Sequence, residues 1–290
     1  MNKYALSAIK FLYTYYEDAK KYVADSAFYT EYTEEKIHHS MQVVGAMKYI
    51  MKHEPTFSGC DENFLNCAKI ATILHDVGRF EELKRLYDAK NGKSLWNSEL
   101  DHGYLGYEIL KNSSEYNDPR IYLPVKHHGH MIERLYEDEE FVQIEDEALK
   151  KQIEQIIFLV RDADKTANYY LLIDKARDKF YNIFKDTYSK EENALPIMPD
   201  VLADFADFQV ISNKKKYNYA TRYLNILSWL FDINYLPSIE LVIKNGALDK
   251  LIDFFCKIEK DAAVQNIVRT TINRYLCQKN ITMPAAKAFV

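Results

Sequence analysis

An all-α fold is predicted for this chain by three observations. Only 8 Gly and 7 Pro interrupt 290 residues, and the long stretches between them are rich in Lys, Glu, Leu, Ile and Ala, which favour helices. Apolar residues recur at three- and four-residue spacing, the period of helices with one buried face, and no segment alternates convincingly as a strand. The length suits one large domain or a main domain with an appendage. Hydrophobic residues at 48% and charged residues at 28% describe a folded globular protein. The 23 Tyr and 15 Phe are read as packing groups with a polar tip.

Taken in order, Lys3 to Tyr22 places Ala5, Ala8, Ile9, Leu12, Tyr16 and Ala19 on one side of an opening helix. Thr33 is the expected cap of a second helix that runs to about Lys52, where His53-Glu54-Pro55 breaks it; His39 lies near its start. Asp61 is the expected cap of a third, mostly apolar helix containing Phe64, Leu65, Ile70, Ile73 and Leu74, which ends at His75-Asp76-Val77-Gly78. A helix over about Ser98 to Lys111 carries His102, and Asp118-Pro119 supplies a cap and first-turn proline for one reaching His127-His128-Gly129. Ala148 to about Ile173 reads as a long core helix carrying Asp164. The stretch ENALPIMPD marks a boundary, after which helical patterns occupy 215–234, 238–245, 247–259 and 261–277.

Composition narrows the function classes. A formal net charge of −5 argues against a broad nucleic-acid or anionic-membrane surface, although a local basic pocket for phosphate is hidden in that sum. Cys60, Cys67, Cys256 and Cys277 form no CxxC pair and read as reduced thiols. No uncharged run of 18 apolar residues and no cleavage-site pattern are present, so a cytoplasmic location and no membrane association are expected.

The chemistry lies in polar residues set among apolar helices. An aspartate in an apolar setting needs a compensating partner, and a metal ion supplies one, so His75-Asp76 at the end of a buried helix points to metal binding. His39, His102, His127 and Asp164 bring the total to six potential ligands on five helices. The phrases HHSMQVV, LHDVGRF, DHGYLGYEIL, VKHHGH and RDADKTA, in that order, resemble the HD-domain superfamily of metal-dependent phosphohydrolases over about Glu34 to Leu172. The resemblance implies an HD-domain-like helical bundle over residues 1–185, with 186–290 as a helical C-terminal extension. The phrase YLNILSWLFDINYLPS in that extension fits a helix packed back on the core or, as a second choice, against another copy of the chain in a homodimer.

By the same resemblance, His39, His75, Asp76 and Asp164 would hold one divalent ion, and His102 and His127 a second, with Asp76 bridging. Mixed imidazole and carboxylate ligation suits several metals, with iron or manganese favoured. The implied reaction is hydrolysis of a nucleotide or other small phosphoester, a small phosphorylated substrate being the expected partner. Arg79 and Lys165, and also Lys126, are candidates to meet phosphate oxygens, each equally readable as a structural charge. His128 has three readings: proton donor to the leaving oxygen, ligand in place of His127, or helix-end cap. His38 is expected to face away from the site that His39 faces, Asp164 is preferred to Asp162, and His53 and His130 are read as surface residues. The lack of a Gly-Tyr-Pro signature after His127-His128 disfavours cyclic dinucleotides, and Arg79 in part of the stretch where the family's stringent-response members carry acidic residues, with no synthetase-like region, disfavours guanosine tetraphosphate. Two other readings stand beside hydrolysis: a di-iron oxygenase of the same superfamily, and a non-catalytic binding module held together by metal.

Overall fold

Helix α1, Lys3–Tyr22, begins where the Asn2 side chain accepts from the Ala5 backbone N–H, and buries Ala5, Ala8, Leu12, Tyr16 and Ala19 as its spacing requires. The computed structural model describes residues 2–89, 100–173 and 188–281, and every regular element among them is helical. The chain divides into two units, Met1–Ala167 and Asn168–Val290. The boundary expected at residues 185 and 186 lies outside the described residues.

Helix α2, Ala27–His53, starts earlier than expected, with Ser26 as its cap. Thr33 is not a cap: it is fully buried inside the helix and its hydroxyl donates to the Tyr29 carbonyl at 2.7 Å. The physical reason is that Tyr29 and Tyr32 are buried on the same helix, so the apolar face begins upstream of Thr33. Helix α3, Glu62–Leu74, is capped by Asp61 and is apolar almost all round, with Ala68, Ala71, Ile73 and Leu74 inaccessible. It packs against α1 and α2.

Helix α4, Val77–Asp88, was not foreseen. An aspartate does stand at its cap position, but the Asp76 side chain makes no capping hydrogen bond. Phe80, Leu83 and Leu86 nonetheless form its buried stripe. Helix α5, His102–Lys111, is capped by Asp101, whose carboxylate accepts from the Gly103 and Tyr104 N–H groups; its expected start at Ser98 lies outside the described residues. Helix α6, Pro119–His127, has Asp118 as cap and proline in its first turn, as expected.

Helix α5 packs between α4 and α6. Its approach to both is close: a Cβ on Gly78 would run into the His102 carbonyl oxygen and the Gly106 nitrogen, and one on Gly103 would lie 2.5 Å from the Lys126 carbonyl oxygen. Backbone-to-backbone packing of this kind lets three helix ends carrying Asp76, His102 and His128 meet. Two single-turn helices, α7 (Glu133–Tyr136) and α8 (Glu139–Val142), lead to α9, Glu147–Ile173. Asp146 accepts from the Ala148 N–H at 2.8 Å at its start, and Ile153, Ile156, Ile157, Val160, Ala163 and Ala167 are buried along it.

The second unit is built from helices Pro199–Ala206, Tyr219–Ser228, Leu236–Lys244, Ala247–Ile258 and Ala262–Gln278. The expected 215–234 helix is shortened to Tyr219–Ser228 by a capping box between Asn218 and Thr221, and a 3-10 turn follows at Trp229–Asp232. Within the proline-containing stretch read as a boundary, a helix opens at Pro199. Gly246, at φ +69°, makes the left-handed turn between Lys244 and Ala247. Phe205, Tyr223, Leu227, Leu248, Phe255 and Ile272 belong to the apolar core of this unit.

Candidate metal centre

Three helix ends and the middles of two long helices in the first unit deliver six side chains to one place. His39 comes from α2, His75 and Asp76 from the junction of α3 and α4, His102 from the first turn of α5, His128 from the end of α6, and Asp164 from α9. Their ligand atoms form two adjoining groups, His39, His75 and Asp164 in one, and Asp76, His102 and His128 in the other.

In the first group, Nε2 of His39 lies 2.8 Å from Oδ1 of Asp164, and Nε2 of His75 lies 3.9 Å from that oxygen and 3.8 Å from Oδ2 of Asp76. The Nδ1–H of His75 donates to the Thr72 carbonyl at 2.9 Å, so the lone pair sits on Nε2. That nitrogen is buried and makes no hydrogen bond. A buried acceptor without a donor is costly, and a cation at this point would remove the cost.

In the second group, Oδ1 of Asp76 lies 3.4 Å from Nε2 of His102 and 3.6 Å from Nε2 of His128, and the two nitrogens are 3.2 Å apart. Ligands on a tetrahedral metal with bonds of about 2.1 Å are separated by about 3.4 Å, so this triangle has the dimensions of three of the four positions of such a shell. The Nδ1–H of His128 donates to the Val125 carbonyl at 2.7 Å, again directing the Nε2 lone pair inward. The imidazole and carboxylate donors, with the His75 and His128 tautomers directed inward, therefore fit a divalent metal ion.

Charges in the cluster are strongly perturbed. Burial pushes the Asp76 carboxyl up, but His75, His128 and Arg79 outweigh it and hold Asp76 well below the usual carboxylate range. Asp164 is lowered likewise: burial opposes ionisation and the hydrogen bond with His39 prevails. Burial lowers His75 to about 4 and, with the Arg79 charge, pushes His102 down as well, so both imidazoles are neutral at pH 7. For His128 burial works downward, yet contact with Asp76 and the charge of Asp164 raise it.

Of the residues expected from sequence, five of the six ligand candidates meet here and one does not. His127 is a correction: its Nε2 lies 2.7 Å from the Asp138 carboxylate and its Nδ1 3.4 Å from Nδ1 of His130, so it points away from the cluster. Adjacent residues near the end of α6 project about 100° apart, and with Gly103 packed against the Lys126 carbonyl it is His128 that faces His102. Lys126 is also turned away, paired with Asp138 at 2.6 Å. Arg79 lies within the cluster, its Nη2 donating to Nε2 of His102 at 2.9 Å. Lys165 is half-buried next to Asp164 on α9. His38 is exposed where His39 is buried, Asp162 is buried outside both groups, His53 is exposed and His130 half-buried, its Nε2 3.0 Å from Asp101.

Sequence reasoning missed two supporting residues. Glu82, 2% exposed, accepts from Arg79 Nη1 and anchors it; the i, i+3 spacing would have revealed the pair had α4 been foreseen. Arg161 is buried on α9 and donates from Nη1 to the carbonyls of His128 and His130, tying the turn that carries one metal-facing histidine to the helix that carries Asp164. Nothing in the sequence distinguishes it from a surface arginine. Outer-sphere groups of this kind tune metal affinity by roughly 10- to 100-fold. Arg161→Met is accordingly expected to weaken metal retention by about that factor in competition with a chelator, and undiminished retention would show that the turn holds without it.

The HD-domain family model matches residues 37–169, a span that contains all six clustered residues. No curated protein and no solved structure matches the chain. Among the described residues no helix is long and apolar enough to cross a membrane.

Proposed function

Through residues 37–169 the chain belongs to the HD-domain superfamily, and from that premise we propose that it is a metal-dependent phosphohydrolase acting on a nucleotide or another small phosphoester. The observation that carries this reading is the pair of adjoining imidazole–carboxylate groups that meet at Asp76, with the guanidinium of Arg79 beside them. His39, His75, Asp76 and Asp164 would hold a divalent ion, with Asp76, His102 and His128 forming a second set of the right chemistry. Iron or manganese is the favoured metal, because two carboxylates and several imidazoles suit those ions. When bound, such ions bring a water close to hydroxide at neutral pH and neutralise charge on a phosphoryl group.

The chain's own residues would do the rest. Arg79, with its N–H groups fixed in a plane, is suited to receive phosphoryl oxygens as charge develops on them. Its neighbour Glu82 restricts the side chain to one direction, which lowers the entropy lost on binding. Where its Nε2 holds no ion, His128, with its Nδ1–H committed to the Val125 carbonyl and its affinity for a proton raised by Asp76, is suited to protonate a leaving oxygen. Lys165 adds positive charge near Asp164. Water is restrained by the surrounding apolar helices, since His39, His75, Asp76 and His128 are each at most 5% exposed.

The test is phosphate release from a panel of nucleotides and small phosphoesters, with protein stripped by a chelator and reconstituted separately with iron, manganese and other divalent ions. Release that disappears on stripping and returns with one of the ions is the expected result. No release from any substrate with any ion, together with oxygen uptake by the iron form, would replace this reading by the oxygenase; a fall in thermal stability on stripping with neither activity would point to a structural metal in a binding module.

A further inference from the structure

The second imidazole–carboxylate set is already in contact with a cation, and that cation belongs to the protein. The single lone pair of His102 Nε2 accepts from Arg79 Nη2 at 2.9 Å. Arg79 Nε lies 3.9 Å from Oδ1 of Asp76, the oxygen that faces His102 and His128. One lone pair serves either an N–H donor or a metal ion, so Arg79 in this position and an ion bound to His102 exclude each other.

Arg79 is not a loose side chain that any ion would sweep aside. It is 17% exposed, and its Nη1 is paired at 2.5 Å with Glu82, whose carboxylate is 2% exposed. Withdrawing the guanidinium would strand that carboxylate in the interior without its counter-charge, a strongly unfavourable change. Asp76, Arg79 and Glu82 stand at three-residue intervals along the start of α4, so one face of one helix presents carboxylate, guanidinium and carboxylate in turn.

We propose that Arg79, anchored by Glu82, takes the place of a second metal ion, so that the chain binds one divalent ion, at His39, His75, Asp76 and Asp164, and uses the guanidinium as the other fixed cation. This rests on the metal-dependent reading above and deepens it. A site of one ion and one arginine presents its substrate with one metal and one planar pair of N–H donors, an arrangement that matches two oxygens of a single terminal phosphoryl group.

The experiment counts ions rather than turnover. Wild-type protein loaded with excess manganese and desalted is expected to retain one ion per chain by elemental analysis, and its electron paramagnetic resonance spectrum to remain that of isolated Mn²⁺ through several added equivalents. The double variant Arg79→Ala/Glu82→Gln, which vacates the corner without stranding a carboxylate, is expected to take up a second ion at least tenfold more tightly than the wild type and to show a spin-coupled spectrum. Two ions or a spin-coupled spectrum in the wild type would overturn the proposal, and that measurement needs no variant to fold. A folded double variant that still binds only one ion would overturn it too, since Arg79 would then not be what excludes the second. Wild-type protein that retains no ion at all would instead overturn the metal-dependent reading on which it rests.

Discussion

Asp76→Ala is expected to lower metal-dependent phosphate release by about a thousandfold or more and to reduce the metal retained, while leaving the helices in place. The carboxylate faces both halves of the site: Oδ2 lies 3.8 Å from His75, and Oδ1 lies 3.4 Å from His102 and 3.6 Å from His128. Its loss removes the proposed shared ligand and one of the two carboxylates beside Arg79, and metal-derived charge stabilisation amounts to several kcal/mol, each 1.4 of which is about a factor of ten. The fold should survive because the Asp76 side chain makes no capping hydrogen bond to α4. Phosphate release, elemental analysis and far-ultraviolet circular dichroism on the same preparation separate these effects. Unchanged activity in a variant that has lost its metal would remove the cluster from the mechanism.

Gly78→Ala is expected to be the most disruptive substitution of a single methyl group in the first unit, costing about 3 kcal/mol or more. The new methyl would meet backbone atoms of α5, the His102 carbonyl oxygen and the Gly106 nitrogen, which cannot rotate aside as a side chain would. Helix α5 cannot retreat either, because Gly103 is pressed against the Lys126 carbonyl of α6. Urea denaturation of the metal-loaded protein measures the loss, and metal retention should fall with it as His102 is displaced. Gly45→Ala is the control: Gly45 is exposed on α2 with nothing within 4 Å of a new Cβ, so there alanine should stabilise the helix by up to about 1 kcal/mol. Equal effects at both positions would mean that the close approach of α4 and α5 does not matter to stability.

How much was legible in advance follows from the range of the forces involved. Caps at Asp61 and Asp118 and the apolar stripe of α1 are local, set by neighbours within a turn or so, and they appear in the structure where the residues themselves indicate. The errors arose where a longer-range demand won. Asp76 turns into the cluster instead of capping α4, and read as the end of the third helix it did not announce the start of the next. Thr33 resembles a cap, but the buried aromatic residues upstream carry the helix through it.

By itself the sequence determined that the chain is helical, that residues 37–169 match the HD-domain family, and that His39, His75, Asp76, His102 and Asp164 have the types and order to form a metal site. Which of His127 and His128 joins them was decided only by the tertiary structure, because two adjacent histidines on one helix differ in nothing but the direction they face, and that direction is set by how closely α5 approaches α6. The same holds for Arg79. Its charge is plain in the sequence, but its contact with His102 depends on α4 and α5 meeting backbone to backbone at Gly78, and its rigidity depends on a carboxylate at Glu82 that only packing buries.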